Sequence, residues 1–459
     1  MVEPGRRLDA LMTAAKPDPP APAVDPADAS LIASLRGLAR DGRLLFTLRT
    51  LRMFGYGFLA VILVLYLAAS GLDPVGIGVV LTLTLVGDTV VSLWLTTHAD
   101  RIGRLRVLVL GSLLVVAAGI VFALTDWLPL LVLAGVIGVV SPTGNEVGPF
   151  LAVEQAALTQ VVPDRRRTAT FAWYNLVGYV ATATGALVAG VLTQMLISGG
   201  LAEVDAYRAI VVGYALIGLA MAVTASRLGT TVEVRPNDDA VAEESLRGRL
   251  GLGRSRGVVL RLSALFSIDA FAGGFIPQSL MAYWFVLRFD VDPAVLGGIF
   301  FAANMLAAVS SLSAARIAAR IGLINTMVFT HLPSNVLLML VPLMPTLPLA
   351  VAVLLLRFSL SQMDVPTRQS YVMAVVEPAE RSAAAGVTGI ARTIGASVSP
   401  SISSVLIANA SVASLPFFLA GGLKIVYDLL LYRDFRAHRP PEEVDAAATR
   451  KAPPKSDGA

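Results

Sequence analysis

The sequence predicts an all-α polytopic membrane protein, with about twelve transmembrane helices arranged as two pseudo-symmetric six-helix bundles. Three observations point there. The 459 residues are 56% hydrophobic and only 15% charged, and the mean hydropathy reaches +0.73. Apolar runs of about 20 residues, the length that crosses a bilayer as a helix, recur along most of the chain. Landmarks of the first half then return in the same order in the second. A β-barrel would show shorter alternating segments, and backbone groups in hydrocarbon need the internal hydrogen bonds of a helix.

The predicted spans run over residues 46–70, 75–97, 104–124, 129–156, 168–196, 206–227, 260–287, 294–317, 321–343, 348–376, 384–407 and 414–433. Residues 1–43 are rich in Pro, Ala and Asp and read as a disordered cytoplasmic tail, as do residues 436–459. A polar, Arg-rich stretch over 228–257 separates a bundle at 44–227 from one at 258–435. Arg36, Arg40 and Arg43 precede the first span, Arg101, Arg104 and Arg106 follow the second, and Arg165, Arg166 and Arg167 follow the fourth. Loops on the other side, such as "SGLDP" and "TDWLP", carry no Lys or Arg; Arg208 and Arg288 are the exceptions. Basic loops stay cytoplasmic, so both termini are expected there, in the plasma (inner) membrane. The net charge of +4 is this loop bias and calls for no nucleic acid. Without cysteine there is no disulfide or thiolate metal site, and no metal or cofactor is expected.

The internal repeat rests on four alignments. "RMFGYGFLAVILVLYL" from Arg52 matches "DAFAGGFIPQSLMAYW" from Asp269. "DPVGIG" from Asp73 matches "DPAVLG" from Asp292, "ADRIGRL" matches "AARIGLI", and "VVPDRRRTA" matches "VVEPAERSAA". Parallel repeats of six spans suggest two halves rocking about a central site.

The loop after the second span, "HADRIGRLR" from His98 to Arg106, sharpens this reading. It resembles the G-x-L-A-D-R-x-G-R-R-x-x-L signature of the major facilitator superfamily, with Asp100, Arg101, Gly103 and Arg104 in place. Thr96 and His98 stand where the signature has Gly and Leu. The second-half copy keeps Arg320 and Gly322 but has Ala319 in place of the acid. The resemblance covers about residues 44–435. It implies a secondary active transporter working by alternating access, with a cavity lined by the first, fourth, seventh and tenth helices. It also implies that Asp100 grips the eleventh helix to close the cytoplasmic side. A carboxylate is favoured at a helix N-terminus by roughly 0.3–1 kcal/mol.

Ionisable groups inside spans are costly and therefore functional candidates. Asp88 lies about 21 Å along its helix from Pro74, near mid-membrane, and is the candidate for a coupling proton. Asn145 and Glu146 sit in "SPTGNEVGPF", where Pro142, Gly144, Gly148 and Pro149 predict a broken fourth helix. Glu154 and Gln155 fall nearer the cytoplasmic end, as a gate or a solvated terminus. Arg357, deep in the tenth span, keeps its charge and needs an acid such as Glu146, Asp88 or Asp269, or an anionic ligand. Asp364 and Arg368 are spaced to satisfy each other. Arg52 and Asp269 occupy equivalent repeat positions and are expected to meet as a gate. Lys424 and Asp428 are expected to neutralise each other, and His331, Ser334 and Asn335 to act as scaffold. Arg392 in the eleventh span stays unassigned.

Two departures weaken a drug-antiporter assignment. The fourth helix lacks an Arg-x-x-x-Gly element, and "GYVATATGALVAG" in the fifth has no Pro. The expected function is proton-coupled movement of a small solute by a monomer, with export slightly favoured. A transport-inactive receptor or a lipid scramblase on the same fold is the alternative. No nucleophile elbow, paired His or phosphate loop suggests an enzyme.

Overall fold

The computed structural model describes residues 38–436 apart from 147, 163, 234–252, 254 and 378–379. Most of the expected tails and of the expected linker therefore lie outside the described residues, while residues 40–43, expected in the N-terminal tail, form the first turn of a helix that begins at Arg40. Within them the chain is all helix. The first half holds α1 (Arg40–Ala60), α2 (Leu63–Ala69), α3 (Pro74–Ile102), α4 (Arg104–Leu124), α5 (Leu128–Ile137), α6 (Phe150–Val161), α7 (Asp164–Ser198) and α8 (Glu203–Ser226). The second half holds α9 (Arg256–Gly274), α10 (Gln278–Phe289), α11 (Pro293–Ile321), α12 (Leu323–Leu340), α13 (Leu347–Ser361), α14 (Asp364–Val375), α15 (Arg381–Ala408) and α16 (Leu415–Phe435).

Ten helices among the described residues are long and apolar enough to cross a membrane, and α1 with α2, bent by 42°, makes an eleventh. Where the sequence predicts one span over 129–156, α5 and α6 flank an irregular stretch at 138–149. Val139, Gly144 and Gly148 adopt positive φ there, at 52°, 70° and 82°. The left-handed region ends helices and is costly for any residue with a Cβ. The Pro and Gly cluster thus breaks the fourth span as its sequence predicts. The seventh (α9–α10) and tenth (α13–α14) positions are broken too, so all four interruptions fall at repeat-equivalent places.

The duplication is visible in the capping. α3 and α11 are each 29 residues long. Asp73 caps the first by accepting from Gly76 N at 2.8 Å, and Asp292 caps the second by accepting from Val295 N at 3.0 Å. Pro follows each cap, a residue suited to the first helical turn. Gly103 and Gly322 end the two helices at φ 102° and 88°. The recurring "DP" and "RIG" thus set one start and one stop, twice. Outward faces are apolar: Val86, Val90, Leu93 and Trp94 form an exposed stripe along α3, as lipid contact requires.

The two halves meet on the face away from the chain ends. Ser401 of α15 donates to Gly78 O at 3.0 Å and to Thr82 Oγ1 of α3 at 2.7 Å. A Cβ at Gly190 of α7 would lie 2.2 Å from Pro293 O and 2.8 Å from Gly297 Cα of α11. Ser279 N of α10 donates to Pro142 O at 3.2 Å. One apolar cluster runs the length of the first half and continues into the second half on this face. A second cluster, containing Val259, Phe266, Met327 and Phe435, belongs to the second half alone and lies toward the chain ends. The halves are therefore sealed on one side and separately packed on the other.

On the terminal face, carboxylates tie down backbone amides. Asp41 accepts from Gly229 N at 3.0 Å, and Glu380 accepts from Gly253 N at 2.7 Å and Ser255 N at 3.1 Å. Because the chain has no cysteine, the seal can be probed directly. Thr82→Cys with Ser401→Cys should form a disulfide under mild oxidation, lower transport in proteoliposomes to background, and recover on reduction. Efficient cross-linking with undiminished transport would mean that this seal never opens.

Candidate functional site

The buried charges gather into two networks, one in each half. In the first, Arg52 of α1 is fully buried. Its Nη2 donates to Glu154 Oε2 of α6 at 2.5 Å, and Nη1 pairs with Glu146. Arg49, one turn earlier, also pairs with Glu146 and donates from Nε to Tyr174 O of α7 at 3.3 Å. The Tyr174 hydroxyl donates to Glu154. Rings complete the cage: Arg49 lies 4.7 Å from the Tyr174 ring centroid and Arg52 lies 5.0 Å from that of Phe150. Helix spacing puts Arg49 and Arg52 on one face, and the break at 138–149 lets Glu146 reach both.

Asp88 of α3 stands beside this network. Its Oδ1 accepts from Gly148 N at 2.7 Å and from Ser92 Oγ at 3.1 Å. Its side chain is buried, and among the described residues no Lys, Arg or His lies within ion-pair distance. The carboxylate thus holds the broken segment through a backbone amide, two residues from Glu146. Asn145 is exposed on the same segment.

The second network spans four positions. Asp269 of α9 accepts from Lys424 Nζ of α16 at 2.5 Å and from Arg368 Nη1 of α14 at 3.1 Å. Arg368 also pairs with Asp364 at 3.1 Å. His331 of α12 lies with Nδ1 2.9 Å from Asp428 Oδ1 and Nε2 4.0 Å from Asp269. Asn335 donates to Asp428 Oδ2 at 2.9 Å.

These contacts correct several expectations. Arg52 and Asp269 do not meet: each is neutralised within its own half, because nearer partners exist there. Lys424 and Asp428 do not neutralise each other. Lys424 reaches α9, while Asp428 holds His331 and Asn335, which are therefore network members and not plain scaffold. Arg357 has none of the three acids proposed for it. Its Nε is buried without a hydrogen-bond partner, and its guanidinium lies 4.9 Å from the Phe358 ring centroid. The expected Asp364–Arg368 pair is present. Arg49, Tyr174, Lys424, His331 and Asp428 are the residues that sequence reasoning underweighted. Arg49 carried a signal, being one turn from Arg52. So did Lys424, whose charge is costly within a span.

Of the loop signature, Gly103 and Gly322 serve as positive-φ helix ends. Arg104 is buried, while Arg101 and Arg320 are exposed. The Asp100 side chain lies outside the described residues. The carboxylate found at a helix N-terminus here is Glu233, which accepts from Arg104 N at 2.8 Å and Leu105 N at 3.2 Å at the start of α4.

Two repeat-related helical halves, sealed together on one face and carrying paired charges at broken helices, define a polytopic secondary transporter. The sequence profile of the Major Facilitator Superfamily matches residues 45–400, and the chain belongs to that family. It is 29% identical over 419 residues to an uncharacterized membrane protein of Saccharomyces cerevisiae, covering 86% of this chain and 93% of the yeast one. It shares its fold with a D-xylose–proton symporter (TM-score 0.65, 15% identity, 85% of this chain and 96% of that one). It also shares it with a bacterial homologue of the human lysosomal transporter Spinster in an inward-facing, occupied conformation (TM-score 0.67, 14% identity, 87% and 97%).

The second network predicts a stability pattern. Removing one partner of a buried ion pair costs about 3–5 kcal/mol, whereas replacing both by apolar or neutral groups costs far less. Lys424→Met should therefore lower the melting temperature of the purified protein more than Lys424→Met combined with Asp269→Asn. A double variant less stable than the single one would show that Asp269 is needed for Arg368 rather than for Lys424.

Proposed function

We propose that this chain is a proton-coupled transporter of a small solute, with Asp88 as the proton carrier. The observation that carries the reading is the hydrogen bond from Gly148 N to the Asp88 carboxylate, which itself has no cation partner among the described residues. A charged carboxylate in a low-dielectric interior holds an amide more strongly than a neutral acid does. Protonation removes that charge and weakens the grip on the 138–149 break. Glu146, on the same segment, clamps Arg49 and Arg52 of α1. Loading a proton at Asp88 therefore changes how firmly the fourth span is tied to the first, at the level where a solute would sit.

Alternating access follows if the seal at Ser401–Thr82 and Gly190–Gly297 opens as the terminal face closes. Asp100, Arg101, Gly103, Arg104, Arg320 and Gly322 are the proposed elements of that closure. Asn145, Glu146, Arg357 and Asp364 are the proposed solute contacts. The Arg clusters flanking the first, second and fourth spans support cytoplasmic termini and a plasma-membrane location. The sealed face is then extracellular. Outward movement and a monomeric state rest on the resemblance alone.

Asp88→Asn keeps an oxygen to accept from Gly148 but carries no titratable proton. In proteoliposomes, transport by the native chain should rise at least tenfold when a pH gradient is imposed. The Asn variant should retain solute exchange without a gradient response. A variant that still follows the gradient would remove Asp88 from the coupling.

A further inference from the structure

The two networks are oppositely unbalanced. The first network holds two buried cations, Arg49 and Arg52, and has three carboxylates: Glu146 and Glu154, which pair with them, and Asp88 beside it, which does not. In the second half Arg357, Arg368, Arg392 and Lys424 face Asp269, Asp364 and Asp428. That is four permanent cations against three acids, and Asp428 is already engaged by His331 and Asn335. Two of the cations take no part in any ion pair or hydrogen bond among the described residues: Arg357 of α13 and Arg392 of α15. The Nε of each is buried and unsatisfied, while neither residue is wholly enclosed. Among the described residues, the other cations buried within the two networks, Arg49, Arg52, Arg368 and Lys424, each pair with a carboxylate. Asp364, at the break between α13 and α14, is an acid whose field reaches both, but its Oδ2 is 3.1 Å from Arg368.

A guanidinium keeps its proton, and an unpaired charge in a membrane interior is costly unless a partner arrives. The terminal part of α15 leaves open space beside it. Gly386 and Gly389, on the part of α15 leading from the terminal face toward Arg392, have no neighbouring atom within 4 Å of where a Cβ would stand. From this imbalance we infer that the transported solute carries an anionic group, a carboxylate or a phosphate, which is received by Arg357 at the α13–α14 break, with Arg392 adding to the positive field. This rests on the carrier reading above. The second half then neutralises the anion while the first half holds the proton-binding acid. The loaded protein bears compensated charge on both sides, and the empty one does not.

The test uses the full chain in neutral phosphatidylcholine nanodiscs. Acetate, succinate, citrate and inorganic phosphate are compared with acetamide, succinamide and glycerol at one ionic strength set with sodium chloride. At least one anion should raise the melting temperature, with no shift from its neutral analogue. Arg357→Gln should abolish the shift. Arg357→Lys, which keeps the charge but loses the two-pronged donor geometry, should weaken apparent affinity about tenfold at an unchanged ligand-free melting temperature, so it stays informative if the Gln variant does not fold. Arg392→Gln should weaken binding without abolishing it. Equal shifts by anions and neutral analogues, no shift by any anion, or full shifts in both Arg357 variants would each overturn the inference. Stabilisation only when phosphatidylglycerol is added, with soluble anions inert, would assign the cation to a lipid headgroup and overturn it as well. A gradient response that fails while the anion shift persists would defeat the proton-coupling reading alone.

Discussion

Charge neutralisation in a low-dielectric interior is the constraint on which the rest of this structure depends. An ion taken into the span region costs several kcal/mol unless a counter-charge and hydrogen bonds meet it. The chain answers by pairing within each half: Arg52 with Glu154 in the first, Asp269 with Lys424 and Arg368 in the second. These pairs stay within one half each, and Asp88, Arg357 and Arg392 stand outside them. What crosses between the halves, among the contacts described here, is neutral: serine and threonine hydroxyls, glycine backbones and apolar side chains. An interface of that kind can separate without exposing buried ions, which is a physical requirement for two units that rock against each other.

The breaks serve the same economy of contacts. A continuous fourth helix would present side chains every 1.5 Å of rise but would keep its amides bonded to itself. Interrupting it at 138–149 frees Gly148 N for Asp88 and swings Glu146 toward α1. At Gly148 the backbone dictates the residue: its φ is 82°, and a Cβ would lie 2.4 Å from Val139 Cγ1. The break between α13 and α14 likewise places Asp364 at a helix start, one turn before Arg368. Glu146 and Asp364 thus sit where the helices give up their own hydrogen bonds.

The fold was legible in the sequence because its signals are local. Apolar run length, the paired "DP" starts and the paired "RIG" stops each act within a few residues, and the structure returns two helices of equal length from them. The fourth-span break was legible for the same reason, through its Pro and Gly residues. Ion-pair partners were not, because they depend on helix rotation. Lys424 and Asp428 share a helix face, and that proximity suggested a pair. In space Lys424 lies closer to Asp269 than any partner on its own helix, and His331 from α12 takes Asp428. Arg52 and Asp269 look like partners by repeat position. The same pseudo-symmetry instead gives each an equivalent place inside its own bundle, and equivalent places are not adjacent ones.

That last point bears on how two halves of common descent divide labour. The repeat conserved its caps and lengths in this chain, but the charges at matching positions changed sign: Arg52 in α1 stands where Asp269 stands in α9. Each reversal forced a local set of partners to follow, Glu146 and Glu154 around the first, Lys424 and Arg368 around the second. The outcome is one half with an acid to spare and one with bases to spare, on a scaffold that stays symmetric in shape. On the proposed reading, a solute held between them would meet different chemistry on its two sides, and charge would set its orientation even though the helices that hold it are near copies.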